Sequence, residues 1–131
     1  MYDVQRSTFR KQERIVSRRL IEMLFGGGQS LSMAAYPLRV VYMLKERQEG
    51  ETPVQLLVSV PKKKFKHAVD RNRVKRQVRE AYRYHKQLLT SVLPANQQML
   101  LAFVWLSDEH CPSSEIEGRV VSLIKRISEK L

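Results

Sequence analysis

Met99-Leu100-Leu101-Ala102-Phe103-Val104-Trp105-Leu106 is apolar at every position, the longest such run in the 131 residues. A strand sends alternate side chains to opposite faces, so a run with no polar position fits a central strand covered on both sides. The middle of a sheet is therefore placed here, and the rest of the chain must supply its partners and its covers. The same run is far short of the roughly 20 apolar residues that a spanning helix needs, so no transmembrane segment is expected.

Working outward toward the C-terminus, a helix is predicted from Ser114, with a capping box to Glu117. Ile116, Val120, Leu123, Ile124, Ile127 and Leu131 keep helical spacing on what reads as a packing face. Toward the N-terminus, Leu38 to Leu44 and Val54 to Val60 are β-rich, and Pro61 interrupts the second run. The charged segment from Lys45 to Pro53 joins them, which predicts a hairpin with an exposed tip. A long helix from about Asp70 to Leu89 follows. Val74, Val78, Ala81, Tyr82, His85, Leu88 and Leu89 fall within about 120° of its circumference, while Lys75, Arg76, Arg79, Arg83 and Lys86 share a separate arc of about 100°. One face packs and the other is a cationic ridge; Tyr84 packs or lies at the rim.

Ser17 is placed to cap a first helix through Phe25, with Leu20, Ile21, Leu24 and Phe25 on one side. Gly26-Gly27-Gly28 ends that helix. No Gly-Lys-Ser/Thr follows the glycines, which excludes a phosphate loop. Residues 1–13 are polar and expected to be flexible. The order is thus α-β-β-α-β-α, an α+β fold built as a two-layer α/β sandwich of a small sheet with three helices, in one domain over residues 1–131.

Charge narrows the function. The net charge is +11, from 24 Lys and Arg against 13 Asp and Glu, and residues 62–86 alone hold 11 basic and 2 acidic groups. Lys62-Lys63-Lys64-Phe65-Lys66-His67 puts a cationic loop directly before a cationic helix that opens Arg71-Asn72-Arg73-Val74-Lys75-Arg76. Like charges at i,i+3 and i,i+4 spacing repel, and only Glu80 offers relief nearby, so the pattern costs stability unless a polyanion neutralises it. A nucleic acid is the expected partner. A membrane surface is not, because the helix's other face is needed to cover the sheet. The absence of a recognisable helix-turn-helix or zinc finger favours RNA over DNA. Cys111 is the single cysteine, which excludes an internal disulfide and points to a reducing compartment. The N-terminus lacks the order of a secretory signal, so the cytoplasm is expected.

Hydrolysis of a phosphodiester by a protein needs clustered carboxylates for metal ions or a histidine pair for acid and base work. Neither pattern is visible. His67, His85 and His110 follow no catalytic spacing, and His85 projects onto the packing arc as a core residue. No catalytic residue and no metal ligand are assigned.

Lys62-Lys63 with Ala68-Val69, then Arg71-Asn72-Arg73, Lys75-Arg76 and Arg79-Glu80-Ala81, resembles the signature K-K-x-G-x-A-V-x-R-N-R-x-K-R-x-x-R-E of the bacterial ribonuclease P protein component. The element order is similar to that family's over nearly the whole chain from Arg14 onward. The loop from Lys62 to His67 is one residue longer than the pattern and lacks its glycine. The resemblance implies an α/β sandwich with a left-handed βαβ crossover, against the usual right-handed rule. It also implies a subunit of an endoribonuclease that removes the 5′ leader of precursor tRNA, with the catalytic centre and most of the magnesium ions held by an RNA subunit.

By that resemblance the catalytic RNA is contacted by Lys62, Lys63, Arg71, Asn72, Arg73, Lys75, Arg76 and Arg79. Lys64 and Lys66, in the lengthened loop, are added to the RNA-binding set on charge. A cleft between the first helix and the sheet would hold the single-stranded leader on Ile21, Phe25, Val40, Tyr42 and Ser59. Ile21 stands where the family commonly has Phe. Phe25 suits the core as well as the cleft, and Val40 and Ser59 suit plain sheet packing. The partners implied are the catalytic RNA and precursor tRNA, with no obligate protein partner. Two other functions stay open at this stage: a ribosomal or chaperone-type RNA-binding protein, and a stand-alone ribonuclease.

Overall fold

The structure, a computed structural model, describes residues 10–131. The expectation of flexibility for residues 1–13 therefore lies outside the described residues up to residue 9. Helices are α1 (Arg18–Gly26), α2 (Ala68–His85), α3 (Gln87–Thr90) and α4 (Ser113–Ser128); strands are β1 (Leu31–Ala35), β2 (Leu38–Glu46), β3 (Val54–Ser59) and β4 (Gln97–Trp105). The fold is α+β, with four strands and four helices where three of each were expected.

The four-stranded sheet runs β1-β2-β4-β3, with β4 antiparallel to β2 and parallel to β3. The hairpin expected between β2 and β3 is therefore absent, because β4 inserts between them. An all-apolar strand is satisfied only where it has a partner on each side and a cover on each face. Met99, Leu101, Phe103 and Trp105 enter one buried cluster and Leu100 and Ala102 another. The segment linking β2 to β3 still ends in a tight turn, with Gly50 at φ +86°, where a side chain would be strained. The Arg47 guanidinium donates to the Ala95 carbonyl just ahead of β4.

The larger cluster lies between the sheet and the α2–α4 layer. Val74, Val78, Ala81 and Tyr82 of α2 and Ile116, Val120, Leu123, Ile124 and Ile127 of α4 are buried there, at the spacing read from the sequence. This is the two-layer sandwich. On the opposite face α1 covers part of the sheet, with Leu24 against Val41, Met43, Leu100 and Ala102. Ser17 caps α1, its hydroxyl accepting from the Leu20 N–H. At the other end a Cβ on Gly27 would sit 2.6 Å from the Met23 carbonyl oxygen, and Gly28 has φ +75°; only glycine is comfortable at either place.

Three local expectations need correction. Residues 11–13 form a docked 3-10 turn, and the Lys86 Nζ reaches Glu13 Oε1 at 2.7 Å with both side chains nearly buried. Helix α4 has Pro112 at its N-cap and no side-chain cap, so the capping box from Ser114 does not form. His85 is not a core residue: α2 ends there, and its half-exposed ring faces Glu117 of α4 at 3.2 Å. No described helix is long and apolar enough to cross a membrane.

Candidate nucleic-acid interface

The basic surface begins where β3 ends. Phe65 is buried in the main core and anchors the loop, so the lysines around it are pushed outward: Lys62, Lys63 and Lys66 are exposed and Lys64 half-buried. The His110 ring stacks on Phe65 at 4.5 Å between centroids, and its Nε2 lies 3.0 Å from Asp70 Oδ1. From the first turn of α2, Arg71 Nη1 donates to the carbonyls of Phe65 and Lys66, both at 2.9 Å. Arg71 thus acts within the protein, holding the loop against the helix.

Along α2 the ridge divides. Asn72, Arg73 and Arg76 are exposed and Lys75 is half-buried. Arg79 is partly desolvated, and burial and then the charge of Arg14 hold its guanidinium below its ordinary value. Arg83 donates to Glu80 Oε2 at 2.7 Å and lies 4.3 Å over the Tyr84 ring. Lys86, placed by helical spacing on the ridge, points instead into the contact with Glu13. The helix is cationic along its length, but its exposed charge is concentrated toward its N-terminal end.

The expected leader cleft is only partly assembled. Ile21 packs against the smaller cluster under α1, and Phe25, 46% exposed, follows it one turn later. Ser59 lies on that same side of the sheet, two residues beyond Leu57, in register with Val104 and, across β4, Arg39. Val40 and Tyr42 do not belong with them. They are 0% and 2% exposed and sit in the cluster facing α2 and α4. Alternation in β2 gives the α1 side to Arg39, Val41 and Met43 instead.

A groove of about 670 Å³ between α2 and the start of α4 was not foreseen. Arg73, Arg76, Gln77, Glu80 and Tyr84 line it from α2, and Glu117 from α4. The Gln77 side-chain amide fixes the two helices together, donating to the Cys111 carbonyl at 3.2 Å and to Ser113 Oγ at 2.9 Å. Of these only the arginines carry a signal in the sequence; the rest depend on how α4 returns to α2. Among the described residues no three His, Cys, Asp or Glu side chains gather to hold a metal ion.

A small α+β sandwich with its charge gathered on one loop and one helix has the build of an accessory protein for a polyanion. The ribonuclease P family profile matches residues 9–128. The ribonuclease P protein component of Porphyromonas gingivalis strain ATCC 33277 is 48% identical over 119 residues, covering 90% of this chain and 85% of its own. The ribonuclease P protein of Thermotoga maritima superposes with a TM-score of 0.66 at 23% identity, covering 87% of this chain and 96% of its own. That of Staphylococcus aureus gives 0.66 at 19% identity, covering 89% and 95%. The chain belongs to the ribonuclease P protein component family, and with it to the protein subunits of a tRNA-processing endoribonuclease whose partner is the ribonuclease P RNA.

Proposed function

We propose that this chain binds the catalytic RNA of ribonuclease P through its lysine loop and the N-terminal half of α2, and holds the 5′ leader of precursor tRNA on the α1 side of the sheet. The observation that carries this is the surface formed by Lys62, Lys63, Lys66, Asn72, Arg73 and Arg76, all exposed and all on a loop and helix locked together by Arg71 and Phe65. Ammonium and guanidinium groups held in one arrangement bind phosphates without first being ordered, so less entropy is lost on binding. Lys64, Lys75 and Arg79, half-buried at the margin, add field more than direct contact.

In this reading the RNA performs the cleavage, and magnesium ions are held mainly by the RNA. The protein screens repulsion between the two RNAs and gives the leader a sequence-tolerant surface. Ile21, Phe25 and Ser59 contribute to that surface, with Arg39 to draw phosphates and Val104 as apolar floor. The complex works in the cytoplasm and needs no other protein.

The test is precursor-tRNA cleavage at low magnesium by a bacterial ribonuclease P RNA, with and without the protein and with an Arg73→Ala/Arg76→Ala variant. Restored 5′ maturation by wild type, and only weak restoration by the variant, is the expected result. No stimulation across several bacterial RNAs would overturn the assignment in favour of a general RNA-binding role.

A further inference from the structure

The groove between α2 and α4 is more elaborate than phosphate binding requires. Arg73 and Arg76 stand at one end, and Tyr84, Glu80 and Glu117 at the other. From Arg76 to Tyr84 the helix advances about 12 Å at 1.5 Å per residue, a distance suited to an extended nucleotide rather than to a lone phosphate. The Tyr84 ring is 56% exposed and already carries the Arg83 guanidinium at 4.3 Å, so a base laid on the tyrosine would extend an existing stack.

Two carboxylates weaken phosphate binding, and the aromatic end of the groove, where they stand, suits a ligand group that donates hydrogen bonds. A carboxylate only accepts hydrogen bonds. Glu80 meets Arg83, and Glu117 meets His85, through Oε2 in each case, which leaves acceptor capacity on both. Among the RNA bases guanine alone offers two adjacent donors, N1–H and the N2 amino group, on its Watson–Crick edge. Adenine, cytosine and uracil each place an acceptor beside the donor, which an acceptor-only site repels.

We propose that this groove takes an unpaired guanine nucleotide of the RNA partner, with its phosphate against Arg73 and Arg76, its base on Tyr84, and its Watson–Crick edge toward Glu80 and Glu117. The inference rests on the RNA-binding reading above and adds base selectivity to it.

Fluorescence anisotropy of the full chain with three labelled pentaribonucleotides, uridine throughout except for a central guanosine, adenosine or uridine, tests it directly. The guanosine oligomer should bind roughly tenfold more tightly than the all-uridine one, the lower part of the range for a well-made base contact. A Glu80→Gln/Glu117→Gln variant should bring the three within about twofold, and Tyr84→Ala should weaken all three roughly tenfold. Equal binding of the three by wild type, or an undiminished preference in the double glutamine variant, overturns the proposal. Competition by GMP against UMP on the wild-type protein asks the same question without any variant, so a misfolded variant does not stall the test.

On a bacterial ribonuclease P RNA, kethoxal attacks N1 and N2 of unpaired guanines. At saturating protein, one such guanine should be protected by wild type and re-exposed with the double glutamine variant. Stimulated cleavage with no such guanine sinks the groove assignment and leaves the subunit reading intact. If the RNA is neither bound nor stimulated by wild type, the subunit reading fails, and the oligonucleotide arm decides the groove's selectivity.

Discussion

Phe65 and Arg71 illustrate how single side chains turn a run of lysines into a surface. The ring is buried beneath its own loop and stacked on His110, while the guanidinium satisfies two loop carbonyls. Phe65→Ala should cost about 3 kcal/mol in urea unfolding, because it leaves a cavity and frees the loop. RNA affinity should fall as well, although no charge is removed. Tyr42 offers the opposite case. Its hydroxyl is buried without a hydrogen-bond partner, and burial pushes its pKa up. Tyr42→Phe should therefore stabilise the fold by about 1 kcal/mol and leave crosslinking of a photoreactive leader unchanged; loss of the crosslink would return Tyr42 to the cleft. The sequence identified β2 but not which face each of its residues serves. Alternation fixes only relative sides: Arg39 and Lys45 share the parity of Val41 and Met43 and mark that face as the more polar, but apolar residues at both parities leave open which face meets α1 and which meets α2 and α4.

At the scale of elements, α2 ends in the contact between Lys86 and Glu13, which docks the segment before α1 onto the helix. Glu13→Gln should destabilise the protein by about 2 kcal/mol, since a mostly buried ammonium loses its carboxylate, and should raise amide exchange across residues 11–15. The β2–β3 connection makes a pH-dependent contribution. The Gln48 N–H, and then the Lys45 side chain, hold the Glu51 carboxyl below its ordinary value. A depressed folded-state pKa stabilises above the unfolded value, and the effect is lost as pH falls through the folded one. The small Tm difference between wild type and Glu51→Gln should accordingly be present at pH 6 and vanish near pH 3. The same connection reads in the sequence as a hairpin loop, because its turn chemistry is genuine and only the pairing of the flanking strands differs. Strand β1 is not legible in the sequence for another reason. Leu31-Ser32-Met33-Ala34-Ala35 has no β-branched residue, and it is an edge strand held by its register with β2.

For the whole molecule, six phosphate contacts from the exposed basic surface predict a log–log salt slope of roughly −4 to −5 for binding the catalytic RNA. The Arg73→Ala/Arg76→Ala variant should reduce its magnitude by about 2, read from filter binding across salt concentrations. Such a slope depends on exposed charge, of which the sequence shows the amount but not the exposure: the 11 basic residues of segment 62–86, the Arg-Asn-Arg helix and the all-apolar central strand are local properties of the chain, whereas Arg71 and Lys86 turn inward to protein partners. By itself the sequence determined the α+β class, most of the helical faces that pack, with His85, Leu88 and Leu131 the exceptions, the cationic loop and helix, and the family those residues resemble. Only the tertiary structure decided that β4 separates β2 from β3, that Val40 and Tyr42 face α4 rather than α1, and that Glu117 comes to stand beside Tyr84. The physical reason is that periodicity and charge act over a few residues, whereas strand order, sheet face and helix pairing are set by which apolar surfaces can all be buried at once.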